Sequence, residues 1–358
     1  MLLVSAMRLL DKSNSTFGPF IDGAAVDPSG NFYATDSNKN KVKIASLSGV
    51  TYELQNTSLQ FGGVKWYNDH IFYAVEAVEN KIYKYDNGFT VFCEHPNGLK
   101  GMSNDLVLLN DKIYISGQKY TNTTKIGDGE LWMCDSNGKA TILDSSLGRT
   151  NGIAIDPNRE YLYLSEAFNV NFMPTKNRIN KYKIIGGLVS TTKELAIDFD
   201  AFDNSGNIDV DGMRFDTDGR LYVSRNGASK VSIFKNSLLV ATLNTSFLNP
   251  VNLEIINKKI YVIGRCDPMF GTGLGCIDVF EVEWDGAIFT ALKSTQSPKV
   301  VANVGLIIGM VVGIFALLIL MVICARKSFL FKKKRRNRDP QTMHPFVPKL
   351  DDSYAYNK

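Results

Sequence analysis

The chain has 358 residues, 44% of them hydrophobic and 21% charged, with a formal net charge of +4. This is too long for a small disulfide-stapled module and long enough to bury a large core. Residues 326–358 hold ten Lys/Arg against three Asp/Glu, so the basic balance belongs to the tail and nothing before it reads as a nucleic-acid surface.

In chain order, Met1 to Leu10 has a short apolar core interrupted by Arg8, poor as a signal peptide and better as a strand closing against the last part of the fold. From Asp22 a unit then recurs. Asp22-Gly-Ala-Ala-Val-Asp-Pro-Ser-Gly-Asn-Phe-Tyr33 alternates apolar and polar residues, turns, and closes on an aromatic strand. Copies open at Gly62, Asn104, Asn151, Asp211 and Val251, each with an aromatic ten to twelve residues on: Tyr73, Tyr114, Tyr163, Tyr222 and Tyr261. Third strands follow, as in Lys81 to Tyr85 and Lys230 to Phe234. Repeats of this length built from short strands predict an all-β fold, a six-bladed β-propeller over 1–292. The acids Asp27, Asp156 and Asp216 read as turn residues. Cys266 and Cys276 bracket a glycine-rich loop, and a bridge or two thiols fit equally; the state of Cys93 and Cys134 is open too.

Residues 293–299 form a polar linker, and 300–325 are uncharged and long enough to span a hydrocarbon core as a transmembrane helix. The basic tail, 326–358, follows directly. The positive-inside rule then predicts a single-pass membrane protein with an extracellular or lumenal propeller and a cytoplasmic C-terminal tail. Gly305, Gly309 and Gly313 share a face of that helix, which suggests a homodimer.

In a propeller, residues at one phase of every repeat form a ring. The opening phase reads Asp22, Gly62, Asn104, Asn151, Asp211 and Val251. Four short oxygen-bearing side chains on one axis suit Ca²⁺ better than Zn²⁺. Asp and Asn also cap strand starts, which is the plainer role for them. No Gly-x-Ser-x-Gly or His-Glu-x-x-His occurs, so a serine hydrolase or zincin is excluded.

Asp22 to Asn31, Ser103-Asn-Asp-Leu106, Thr150-Asn-Gly-Ile153 with Leu162 to Glu166, and Asp211 to Val223 together resemble the gluconolactonase / senescence-marker-protein / luciferin-regenerating-enzyme family of six-bladed propellers. The resemblance implies a lactone or ester hydrolase with a divalent metal ion, Ca²⁺ first and Zn²⁺ or Mg²⁺ next. By motif the metal ligands are Asp22, Asn151 and Asp211, with Asp211 also catalytic and Asn104 binding a small-molecule lactone or ester. Asp22 stands where the family usually has Glu, and Met102 where its animal branch has a substrate-binding Arg. A non-catalytic receptor or adhesion ectodomain with a structural metal is the alternative.

Overall fold

A computed structural model describes residues 7–287 apart from 11–16, 28, 37–40, 46–50, 57–58, 69, 99–100, 204–207 and 268–272. The chain divides into two compact units, Met1–Thr295 and Gln296–Lys358, and every described residue belongs to the first.

The N-terminal strand is β1 (Met7–Leu10). Blade I is β2 (Ile21–Val26), β3 (Phe32–Asp36), β4 (Lys41–Ala45) and β5 (Thr51–Asn56). Blade II is β6 (Phe61–Trp66), β7 (Phe72–Glu76), β8 (Lys81–Tyr85) and β9 (Phe89–Glu94). Blade III is β10 (Met102–Leu109), β11 (Lys112–Gln118), β12 (Gly129–Cys134) and β13 (Ala140–Leu147). Blade IV is β14 (Arg149–Ile155), β15 (Tyr161–Val170), β16 (Met173–Ile185) and β17 (Leu188–Asp198). Blade V is β18 (Asp209–Phe215), β19 (Arg220–Asn226), β20 (Lys230–Lys235) and β21 (Leu238–Asn244). Blade VI is β22 (Asn249–Ile256), β23 (Lys259–Arg265) and β24 (Gly275–Glu281), completed by β1. All neighbouring strands within these sheets are antiparallel. The first strands β2, β6, β10, β14, β18 and β22 touch in a closed cycle, which makes them the inner wall of a propeller.

Blades I and V start the same way because their repeats encode the same turn. Asp27 accepts hydrogen bonds from the Asn31 amide (2.8 Å) and the Tyr33 hydroxyl (3.0 Å). Asp216 does the same with the Arg220 amide (2.8 Å) and the Tyr222 hydroxyl (3.1 Å). The turn acid thus ties the loop to the aromatic of the following strand, and this fixes the spacing between them. Those aromatics then fill the gaps between blades. Tyr33, Tyr73, Tyr114, Tyr163, Tyr222 and Tyr261 each pack in the apolar cluster shared with the next blade round the ring.

The centre of the disc is ionic. Lys65 on β6 meets Glu254 on β22 at 3.0 Å, and Arg214 on β18 meets Glu254 at 3.1 Å and Asp105 on β10 at 3.4 Å. Arg214 and Lys65 also donate to the carbonyl of Ala24 on β2. Both cations are 2% exposed. Two positive and two negative groups cancel, so the plug is neutral and its members are paired; removing one partner of such a pair leaves an uncompensated buried charge.

Two disulfides are present. Cys93–Cys134 joins β9 to β12 and so staples blade II to blade III, while Cys266–Cys276 closes the loop between β23 and β24.

The expected fold class needs correction. Only five blades are built from four consecutive strands; the sixth repeat supplies three, and its sheet is completed by β1, which pairs antiparallel with β24. The transmembrane helix, and with it the single-pass localisation, finds no support. Among the described residues no helix is long and apolar enough to cross a membrane, and the one helix lying wholly within them is the three-residue Phe199–Ala201, because period-two strands dominate the chain. Residues 293–299, 300–325 and 326–358, with Gly305, Gly309 and Gly313, lie outside the described residues.

Burial, and then Arg214, push the Lys65 ammonium down to about 8. Between that value and the ordinary lysine value the unfolded chain binds the extra proton, so stability should rise with pH through this window. Urea midpoints at pH 7 and pH 9.5 should therefore differ more in the wild type than in Lys65→Met; equal slopes would place the charge elsewhere. Separately, Cys93→Ala/Cys134→Ala opens a crosslink spanning 41 residues. By loop-closure entropy the double variant should lose about 4 kcal/mol of unfolding free energy in urea melts.

Candidate active site

The ring residues occupy irregularities in the inner strands. The pairing of the first and second strands shifts register between Ile21 and Ala24, Phe61 and Val64, Ser103 and Leu106, Thr150 and Ile153, Val210 and Met213, and Pro250 and Asn252. Asp22, Gly62, Asn104, Asn151, Asp211 and Val251 all fall inside these bulges. A bulge turns its residue out of the regular pleat, which is how a side chain at a strand end becomes aimed at the axis. On three of the four plug strands the ring residue stands three positions before the plug residue (Gly62 before Lys65, Asp211 before Arg214, Val251 before Glu254), within roughly 10 Å at the rise of a strand, and on β10 Asn104 directly precedes Asp105. The ring therefore forms the mouth of a recess whose floor is the plug.

Hydroxyls on the second strands hold the bulges open. The Gly23 amide donates to Thr35 Oγ1 (2.6 Å), which donates to the Gly62 carbonyl (2.7 Å). The Asp105 amide donates to Ser116 Oγ (3.0 Å) and the Asn151 amide to Ser165 Oγ (3.2 Å). Ser224 Oγ donates to the carbonyls of Gly212 (2.8 Å) and Val251 (3.1 Å). The glycine after the ring residue is needed for close approach: a Cβ on Gly152 would run into the Asp211 carbonyl, and one on Gly212 into the Asn252 side chain.

The electrostatics of the mouth are dominated by crowded acids. Burial, then Asp209, pushes the Asp211 carboxyl up to about 7, against the lowering influence of its hydrogen bond from Asn226 Nδ2 (2.9 Å) and of Arg265 and Arg149. Burial, then Asp211 and Asp105, pushes Asp22 well above the usual carboxylate range, with Arg265 opposing. Arg149, itself buried, pairs through Nη2 with Asp209 and through Nη1 with Gln118 Oε1 (3.2 Å).

Of the residues expected at the site, Asp22 and Asp211 come close enough to perturb one another. Asn104 and Asn151 occupy the same bulge on the two intervening polar blades, while Gly62 brings no donor and Val251 is apolar and 3% exposed. The Asn104 Oδ1 is buried without a hydrogen-bond partner. Among the described residues no cluster of three or more His, Cys, Asp and Glu has the arrangement of a metal site. Two neighbouring carboxylates, with Asn104 and Asn151 at the same phase of two other blades and the Asn104 Oδ1 orphaned, nonetheless make a set of hard oxygen donors that fits a divalent cation such as Ca²⁺. The sequence reading missed Arg149, Asp209, Asn226 and Arg265. Gln118, Asn226 and Arg265 each stand four residues after the repeat aromatic, and that recurring polar phase was the available signal.

Residues 77–242 match the SMP-30/Gluconolactonase/LRE-like region. Solved propellers of this kind share the architecture. Regucalcin of Agrobacterium tumefaciens, described as a calcium-binding protein, is 17% identical, covering 78% of this chain and 95% of its own, with a TM-score of 0.63. A luciferin-regenerating enzyme is 13% identical over 79% of this chain and 97% of its own, with a TM-score of 0.64. A gluconolactonase of Xanthomonas campestris is 14% identical over 78% of this chain and 90% of its own, with a TM-score of 0.62. At such identities the likeness is one of fold. No curated protein matches the chain significantly.

A carboxyl raised on folding binds its proton more tightly in the folded state, so Asp211 costs stability increasingly as pH rises from about 4 to about 7. In chelator at pH 8, Asp211→Asn should be more stable than wild type, on the order of 3 kcal/mol from a shift of this size. The gain should vanish below pH 4. Urea melts at both pH values check this; a gain independent of pH would mean that Asp211 carries no buried charge.

Proposed function

We propose that this chain, whose residues 77–242 match the SMP-30/Gluconolactonase/LRE-like region, hydrolyses lactones or related cyclic esters at the mouth of its propeller. The observation that carries the reading is the Asp211 carboxyl, buried in the ring bulge, held through one oxygen by Asn226 (2.9 Å) and close enough to Asp22 to raise its proton affinity. Burial raises the proton affinity of Asp211 itself in the metal-free site, the direction a general base needs. Asp211 takes a proton from the attacking water, while Asn226 holds its second oxygen in place. Asn104 offers its amide to the ring of the substrate. Arg149 and Arg265 supply positive potential where negative charge develops on the carbonyl oxygen, and the neutral plug keeps water from entering from below. A divalent cation held by Asp22, Asn151 and Asp211 would supply Lewis acidity at the carbonyl and a more acidic water. No histidine lies among these groups, so solvent protonates the leaving alkoxide.

Asp211→Asn keeps the size and one oxygen but removes the base, and kcat/KM should fall by at least ~10²-fold. Asp22→Glu restores the longer acid and should hold or raise the rate. Asp216→Asn alters a turn acid and should leave turnover nearly unchanged. The purified protein, assayed by pH-stat on aldono-, homoserine and aryl lactones with Ca²⁺ or chelator, checks all three. Equal behaviour of the Asp211 and Asp216 variants would remove the ring from catalysis and favour a non-catalytic binding propeller.

A further inference from the structure

We infer that the substrate carries an apolar tail, received by a rim of apolar side chains on blades III and IV; the inference rests on the hydrolase reading above. Six residues make the rim: Met102, Tyr120 and Ile126 from blade III, and Val170, Phe172 and Met173 from blade IV, every one of them at least 44% exposed. All stand at the mouth end. Met102 opens β10 two residues before Asn104, and Tyr120 follows the end of β11. The β15–β16 hairpin outruns β14: Ala167 already pairs with Arg149, and the chain continues to a tip at Val170–Met173.

The rim is held in place rather than loosely draped. Tyr120 stacks on Phe172 with centroids 6.1 Å apart and an interplanar angle of 19°, and its hydroxyl donates to the Phe172 carbonyl at 3.1 Å. The Phe172 amide donates to the Asn122 carbonyl (2.9 Å), the Thr124 amide to the Asn169 carbonyl (3.0 Å), and the Asn169 amide to Thr124 Oγ1 (3.0 Å). These bonds clip the loop after β11 to the hairpin. Phe172 also has φ 62°, a left-handed conformation in which a bulky aromatic is costly and Gly or Asn is the cheap choice. Nothing in the turn itself calls for an aromatic there.

Continuity with the mouth fixes what the rim is for. The Arg149 guanidinium lies 5.2 Å from the Tyr120 ring centroid and at its other end pairs with Asp209, two residues before Asp211. The apolar surface therefore begins where the charged mouth stops. A polyhydroxylated ring would find few hydrogen-bond partners on these side chains, and an alkyl or aryl substituent on a lactone would lose water against them. The recess floor is sealed by the plug, so such a substituent extends outward along the rim.

The test uses the full-length protein and a series of lactones of one ring size carrying hydrogen, methyl, butyl, hexyl or octyl substituents, with a polyhydroxylated aldonolactone as the comparison. A buried methylene contributes about fourfold at full burial and less on an open rim, so kcat/KM should rise about two- to fourfold per added methylene over the first several carbons. Phe172→Ser/Met173→Ser, at exposed positions, should flatten that dependence and reduce the octyl substrate at least tenfold more than the methyl one. A second pair, Ile126→Ser/Val170→Ser, keeps the Tyr120–Phe172 clip and should flatten it less. Hydrolysis that prefers the aldonolactone, or a chain-length dependence that survives both variants, overturns the apolar tail and leaves the hydrolase reading standing. Failure to hydrolyse any member of the series overturns both.

Discussion

The structure depends on a neutral ionic plug at the axis. Six inner strands converge there with no room for ordinary apolar packing on every blade, and Lys65, Asp105, Arg214 and Glu254 fill the space with opposite charges in contact. Together with the Ala24 carbonyl they connect the first strands of blades I, II, III, V and VI. Closing the channel this way makes the mouth a dead end. The raised proton affinities of Asp22 and Asp211 come from burial first and then from neighbouring acids: Asp211 and the plug's own Asp105 act on Asp22, and Asp209 acts on Asp211.

A second constraint links the plug to the chemistry. Every inner strand carries a bulge at its start, and the hydroxyls of Thr35, Ser116, Ser165 and Ser224 hold the bulges through backbone bonds. The ring residues are thereby placed by rigid sheet rather than by loops. A site fixed on strands holds its geometry more closely than one fixed on flexible connections. The rim on blades III and IV shows the complementary arrangement, with loops clipped to each other and side chains free at their tips.

Much of this architecture was legible because the repeat advertises itself. The aromatic positions, the turn acids and the opening ring recur at visible spacing, and a period of two separates strands from helices without ambiguity. The strand Met7–Leu10 was readable as a closing element because an apolar run broken by Arg8 suits an edge strand better than a leader. The plug was not read, although Lys65, Arg214 and Glu254 all stand three residues after the ring position. A charge at a buried phase looks like a solvated face until its partner is known, and these partners come from repeats up to 189 residues apart. Asp209 and Arg149 escaped for the same reason. The bridge between Cys93 and Cys134 was out of reach too, since spacing alone does not say which blades will be neighbours through which strands. The run 300–325 shows the opposite hazard: its composition alone carried a statement about location that no described residue supports.

The composite sixth blade has a consequence for the order in which the molecule is made. Met7 pairs with Val279, so the strand that precedes blade I in the chain finds its place only after nearly the whole disc has been synthesised. Blades I to V, each of consecutive strands, form as their own segments emerge, whereas ring closure waits for β24. Until then β1 is an unpaired strand, the kind of edge that recruits other chains. The growing protein is therefore most vulnerable to association just before completion, and a chain that stops within blade VI leaves an open disc with a loose first strand.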